Sequence, residues 1–516
     1  MNTTKRKILI ILLMTVGIIA IAAGTATQFM KNNSTKSDQK NTISSKAFFL
    51  KNKEGYYALF DTTGKQLTDF IFSKVEDFYN HTSVVITKDG KSGIIKDNGK
   101  YLVNLGKYKK IYSTGPLYKL ITNDNKNKYI NSEGEQILTN ATSDYSLYQP
   151  TNSQYLYLFY NSAELKILNY DGKQIDNIKT YRNASTINGT LTSEADTSDD
   201  ENYSLLTYNS TKYLYNLKNN KRIMTFDTSY SITSVSEDSQ KIIVSSDENH
   251  VVIENDKKIL EIPISQCDSL SFLEKGYICG SSSSSLKTLL DKAGNPVAEN
   301  VIAYINYSNY IVKDKNNNHN YNFYENEKLK KTIRLLDIEN GKTNIAYLAK
   351  TYDNSYSYYT SIGEKINDSA YLRGSTKFNK DGYAIAKTAM QKYNIINKDG
   401  KDTSTSYQTL YQISLENYYC GTNGSTKYLL DSNGNIIAQG FNNYEYIQTK
   451  ETLRDKIFII YEDKTEIYNV QKKKVVATIN TTGLKFDSYY AYEITGDTTN
   501  YYSYENGGKF YTLSET

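Results

Sequence analysis

Short apolar runs alternate with tight polar turns along most of this chain, and the turns return at a nearly constant spacing. Residues 83–105 show the unit most plainly. Ser83 to Thr87 (SVVIT) is a β-branched run, and Lys88-Asp89-Gly90-Lys91 is a hairpin turn of the Asp-Gly kind. Gly93 to Lys96 reads as a returning strand, Asp97-Asn98-Gly99 as a second turn, and Tyr101 to Leu105 as a third strand. A fourth extended piece, Lys109 to Ser113, leads to Gly115-Pro116. With the second turn as a phase marker, equivalents stand at Gly64, Gly99, Gly134, Gly172, Asn220, Lys257 and Gly294. The series continues at Glu327, Gly363, Gly400, Gly434, Lys473 and Gly507. Successive markers lie 33 to 39 residues apart, except for the 48 between Gly172 and Asn220. A period of this size marks a repeat array.

Other units vary on the plan, as in Tyr57 to Gln66 (YALFDTTGKQ), Tyr393 to Lys401 (YNIINKDGK) and Lys427 to Ile437 (KYLLDSNGNII). No helical period runs through them, so each unit reads as three or four short antiparallel strands. One such sheet cannot bury both faces alone, so the units must stack. The expected fold is therefore all-β, with about thirteen repeats of about 37 residues packed as tandem β-propellers. A first ring is expected over 46–268 and a second over 269–516, divided near Cys267 to Tyr277.

The N-terminus differs in kind. Lys5, Arg6 and Lys7 in the tip 1–7 precede an apolar stretch that extends from Ile8 to Met30. The cations hold that end in the cytoplasm while the stretch enters the membrane, so the remainder is exported. Its 23 residues are enough to span a roughly 30 Å hydrocarbon core, which favours a retained single-pass anchor over cleavage and secretion. Residues 31–45 are Asn-, Ser-, Thr- and Lys-rich and read as a flexible tether.

Composition narrows the chemistry. Sixty-one basic residues against 56 acidic ones leave +5, and three of those charges sit in the tip, so no basic field for nucleic acid is expected. Cys267, Cys279 and Cys420 are too few for a disulfide scaffold. Cys267 and Cys279, twelve residues apart across a repeat junction, are read as two unrelated buried thiols, with pairing as the alternative. The chain has 50 Tyr and no Trp; most tyrosines are expected in sheet cores and seams, where a flat ring with a polar edge packs well.

The segment DGKSGIIKDNGK (89–100) resembles the WG-repeat family of bacterial surface proteins, whose units look like DGKWGYIDKNGK. Gly93 occupies the family's Gly, while its Trp position holds Tyr57, Ser92, Asn127, Tyr356 and Tyr393 in different units. The resemblance implies a cell-envelope location and a binding or scaffolding role, with no catalytic residues to carry over.

Candidate sites are few. His81, His250 and His319 have no second ligand at metal spacing and read as ordinary surface or turn residues. Asp314, Asn316, Asn318, Asn320 and Glu325 follow an EF-hand-like spacing that suits Ca2+. His319 stands where that loop requires Gly, and the segment is in phase with the other hairpins, so an Asn-rich turn is the expected reading. Glu194, Asp196, Asp199, Asp200 and Glu201 fall in the longest interval and read as an exposed inserted loop that can meet a partner. No nucleophile elbow, phosphate loop or H-E-x-x-H pattern occurs. The expected function is non-catalytic binding of a protein or glycan at the bacterial envelope, without cofactor. The alternative is an enzyme acting on envelope polysaccharide through carboxylates and Tyr in a propeller funnel.

Overall fold

The computed structural model describes residues 46–137, 145–150, 156–161, 164–179, 194–197, 202–208 and 210–514. The anchor expected at 8–30 and the tether at 31–45 lie outside them; among the described residues no helix is long and apolar enough to cross a membrane. The chain divides into two units. One takes the described residues up to Asp61 together with Gln66–Lys107; the other takes Thr62–Lys65 and Tyr108 onwards.

Both units are built from antiparallel meanders whose strands pair in sequence order, apart from one parallel pairing of Ala303 and Tyr304 with Gly341 and Lys342. In the first unit, strands Ala47–Lys51, Tyr57–Asp61, Phe72–Val75, Thr82–Thr87, Ser92–Lys96 and Tyr101–Val103 form one six-stranded meander. Its two turn-marked repeats share it, because Phe72 pairs with both Tyr57 and Thr87. The second unit carries eleven further repeats, from the strand Lys110–Thr114 to Lys509–Ser514. The segment expected as a fourth strand after Leu105 belongs to the next sheet instead. Gly115 turns Lys110–Thr114 directly back onto Leu117–Ile121, so its hydrogen bonds point forward along the chain.

The phase markers fall in the turn before the last extended segment of each repeat, except Lys257, which opens that segment. The reason is backbone geometry. Marker glycines such as Gly99 (φ 81°), Gly294 (φ 82°) and Gly434 (φ 82°) occupy the left-handed region, where a Cβ is penalised. Asn220 (φ 52°), Glu327 (φ 61°) and Lys473 (φ 51°) adopt it without being glycine. At Lys257 the marker is one residue late, since Asn255 (φ 49°) and Asp256 (φ 62°) make the turn. Glu327 follows Asn326 (φ 49°) in a two-residue hairpin that needs positive φ at both positions. Replacing Glu327 by glycine is therefore expected to raise stability by about 0.5–1 kcal/mol, read as a shift in denaturant midpoint. A lowered midpoint would contradict the assigned turn.

The central strands explain why the runs are apolar at consecutive positions. In the sixth repeat, Ile242 and Val244 pack with Leu205 and Leu214 of the fifth. Ile243, between them, packs with Tyr277 and Leu290 of the seventh. In the fourth repeat, Leu156 and Leu158 meet Leu206 and Tyr215 of the fifth, while Tyr157 and Phe159 meet Leu117 and Tyr129 of the third. Side chains alternate faces along a strand, so a run apolar at every position is buried on both sides. Clusters of this kind join each repeat to the next throughout the second unit. One of them spans the boundary expected between 268 and 269, joining Ile243, Val252 and Ile262 to Cys279 and Leu290.

The five positions equivalent to the Trp of the resembling family, Tyr57, Ser92, Asn127, Tyr356 and Tyr393, each open the strand that precedes a marker turn. At two of them a lysine of the neighbouring strand covers the ring: Lys51 Nζ lies 5.5 Å from the Tyr57 centroid and Lys387 Nζ 5.2 Å from that of Tyr393. Gly93 has no room for a side chain, because a Cβ there would stand 2.9 Å from the Val103 carbonyl oxygen.

Cys267 and Cys279 form a disulfide, with Cα atoms 5.5 Å apart, which corrects the reading as unrelated thiols. The two residues do not straddle separate sheets. The antiparallel hairpin Ser269–Leu273/Gly276–Ser281 folds Cys279 back beside the chain that enters it at Cys267. Cys420 is buried and free.

Candidate functional site

A ladder of asparagines runs along the marker-turn edge of the third to sixth repeats, each of whose sheets takes its repeat's number. Each stands at the end of a third strand. Asn131 Oδ1 accepts the backbone N–H groups of Glu133 (3.1 Å) and Glu135 (2.9 Å), closing its own turn. Its Nδ2 donates to the Asp171 carbonyl of the next sheet at 3.1 Å. Asn169 repeats this, accepting from Asp171 (3.1 Å) and Lys173 (2.9 Å) and donating to Asn220 Oδ1 at 3.0 Å. Asn216 accepts from Asn219 N–H at 2.9 Å and donates to Asp256 Oδ1 at 2.9 Å. An amide can do both because it carries an acceptor and two donors. The carboxylates at the same position, Asp291 and Asp431, accept from their own turns through Oδ1 and have no donor for the next sheet.

Where the ladder passes from the fifth sheet to the sixth, the edge opens into a cleft of about 240 Å³. Asn202, Tyr203, Asn216 and Asn219 line it from the fifth sheet, and Gln240, Asn255 and Asp256 from the sixth. Tyr203 contributes structure more than surface: its ring is 2% exposed and its hydroxyl donates to the Ser239 carbonyl at 3.0 Å. Asp256 is the fixed point. Lys221 Nζ lies 2.8 Å from Oδ2, and Asn219 Nδ2 donates to the same oxygen at 3.3 Å. Burial pushes the Asp256 carboxyl up, but the hydrogen bonds from Lys221, Asn216 and Asn219 outweigh it and hold the group below the ordinary carboxylate range. The result is a polar, amide-rich depression with a charge-balanced floor. It can donate and accept hydrogen bonds on neighbouring positions.

The residues singled out from sequence lie elsewhere. Asp314 Oδ1 accepts the Asn316 N–H at 2.8 Å, and Asp314 N–H donates to the Asn320 carbonyl at 3.0 Å, so 314–320 is a self-closed hairpin turn. Glu325 ends the strand Asn320–Glu325 and pairs with Lys330 at 3.1 Å. Five residues of strand rise put it roughly 16 Å from Asn320, so Glu325 does not join Asp314, Asn316 and Asn318. Glu194 and Asp196 are not in an inserted loop; they lie on the strand Glu194–Thr197, paired with Tyr203–Tyr208 as the first strand of the fifth sheet. Asp199, Asp200 and Glu201 fall outside the described residues. His250 is buried, not a surface residue, with Nδ1 2.7 Å from Ser245 Oγ and Nε2 2.8 Å from the Cys267 carbonyl oxygen. His81 Nδ1 lies 2.6 Å from Asp97 Oδ2.

Sequence reading missed the asparagine ladder and its cleft because the chain is rich in Asn throughout. The available signal was phase: Asn131, Asn169, Asn216, Asn397 and Asn469 each stand three or four positions before a marker.

No protein-family model matches the chain, and no curated protein matches it. Among solved structures it is similar to a eukaryotic initiation factor over 78% of this chain and 96% of that one, at 8% identity and a TM-score of 0.26. It is similar to the dihydro-heme d1 dehydrogenase NirN in complex with DHE over 65% and 75%, at 12% identity and 0.23. BamB from Moraxella catarrhalis aligns over 70% and 94%, at 10% identity and 0.21. Likeness at this level carries no argument about fold or function.

Proposed function

We propose that the chain is an exported, membrane-tethered protein whose sheets are β-propeller blades, and that it binds a protein or glycan partner at the bacterial envelope without catalysing a reaction. The amide-rich cleft on the turn edge carries this reading. Its groups suit recognition, and its carboxylate is committed to structural partners. Four-stranded meanders stacked face to face in chain order are the construction that blades require. The Cys267–Cys279 disulfide suits an oxidising compartment, in line with the export expected from Lys5, Arg6, Lys7 and the apolar run after them. The test is crosslinking on intact cells followed by pull-down of the full-length chain from the membrane fraction. Specific recovery of an envelope protein or polysaccharide is the expected result. Recovery of the chain in the soluble cytoplasm, or no envelope partner after crosslinking, would overturn the reading.

A further inference from the structure

Resting on the reading that the turn edge is a binding surface, we propose that the cleft between the fifth and sixth sheets holds one neutral, hydroxyl-rich saccharide unit. Its chemistry narrows the occupant step by step. Asp256 has roughly four acceptor positions, and Asn216, Lys221 and Asn219 fill three of them. One acceptor on Oδ1 is left, which fits a hydroxyl donor and repels an anion. The side-chain amides of Gln240 and Asn255 line the same cleft with no hydrogen-bond partner among the described residues. Each amide offers a donor and an acceptor about two bonds apart, which matches hydroxyls on adjacent carbons of a sugar ring.

Size and lining exclude the rival occupants. At about 240 Å³ the cleft is smaller than the roughly 300–1,000 Å³ of pockets for drug-sized ligands, so it takes a single ring. A protein partner anchors through aromatic or Arg side chains in desolvated apolar pockets, and this lining is polar. A phosphate or uronate needs several uncommitted cations; Lys221 is spent on Asp256, and the lining supplies one lysine, the exposed Lys218, beside the Asp256 carboxylate. With Tyr203 buried, the sugar is held by hydrogen bonds without a stacking platform.

Saturation-transfer NMR on the full-length chain, with methyl β-N-acetylglucosaminide and methyl β-glucuronide as probes at low and high salt, tests the assignment. The neutral glycoside is expected to bind in the millimolar range without salt dependence. Gln240→Ala and Asn255→Gly are each expected to weaken it about tenfold. Both variants keep the fold, since Gln240 is exposed and Asn255 has φ 49°, which glycine accepts. No transfer to the neutral probe overturns the assignment, as does unchanged binding in both variants, or binding only of the glucuronide with affinity falling as salt rises. If pull-down recovers an envelope partner while these spectra are negative, the broader reading stands and the cleft assignment falls.

Discussion

Replacing Phe458 by alanine is expected to cost about 3–5 kcal/mol and to release the last sheet from the one before it. Phe458 is fully buried on the central strand Lys456–Ile460 of the twelfth repeat. Its ring stacks on Phe486 of the thirteenth with centroids 4.0 Å apart and meets Tyr504 at 5.5 Å. Its neighbours Ile457 and Ile459 face the other way, into the cluster shared with the eleventh repeat. Alanine at 458 would therefore open a cavity on one side of the sheet only. In a stacked array, coupling passes between nearest neighbours, so the damage should stay local. Hydrogen exchange is expected to accelerate across 485–514 and to remain nearly unchanged in the fourth and fifth repeats. A uniform acceleration along the whole chain would argue against pairwise stacking.

Opening the Cys267–Cys279 bridge should have the next largest effect. The bridge closes a loop of sequence separation 12, for which chain entropy predicts about 2–3 kcal/mol. Both cysteines are buried in the cluster joining the sixth and seventh repeats, so reduction loosens that junction in particular. Thermal unfolding with and without reductant should show the loss, and Cys267→Ser should reproduce it while Cys420→Ser does not abolish the reductant response. Thiol titration of the unreduced, denatured chain should count one thiol, that of Cys420. Three thiols would show that the pair is not formed.

Architecture was far more legible in this sequence than chemistry, and the two have different physical origins. Positive φ at a turn leaves a mark that one residue can carry, which is why Gly99, Gly294 and Gly434 could be read as corners without coordinates. Burial on both faces leaves another, in runs such as SVVIT at 83–87. The edges of the pattern blurred where the mark is weaker: at Lys257, where Asn255 and Asp256 supply the turn, and at 110–114, which pairs forward instead of back. Chemistry depends on groups brought together by stacking. The partners of Asp256 come from one sheet and the unpaired amides of Gln240 and Asn255 from the next, so no local spacing announces the cleft. The EF-hand-like series shows the converse. Its spacing is local, but a straight strand carries Glu325 away from the turn that holds Asp314.

The central claim is that the central strands of the inner repeats of the second unit pack against a neighbouring sheet on both faces. An experimental density map of the full-length chain tests it most directly, at Leu156 to Phe159 and Ile242 to Val244. The account predicts that Leu156 and Leu158 face Leu206 while Tyr157 and Phe159 face Tyr129, and that Ile243 faces Tyr277 while Ile242 and Val244 face Leu205. A map in which either face of these strands meets solvent, or in which consecutive repeats are out of contact, would contradict it.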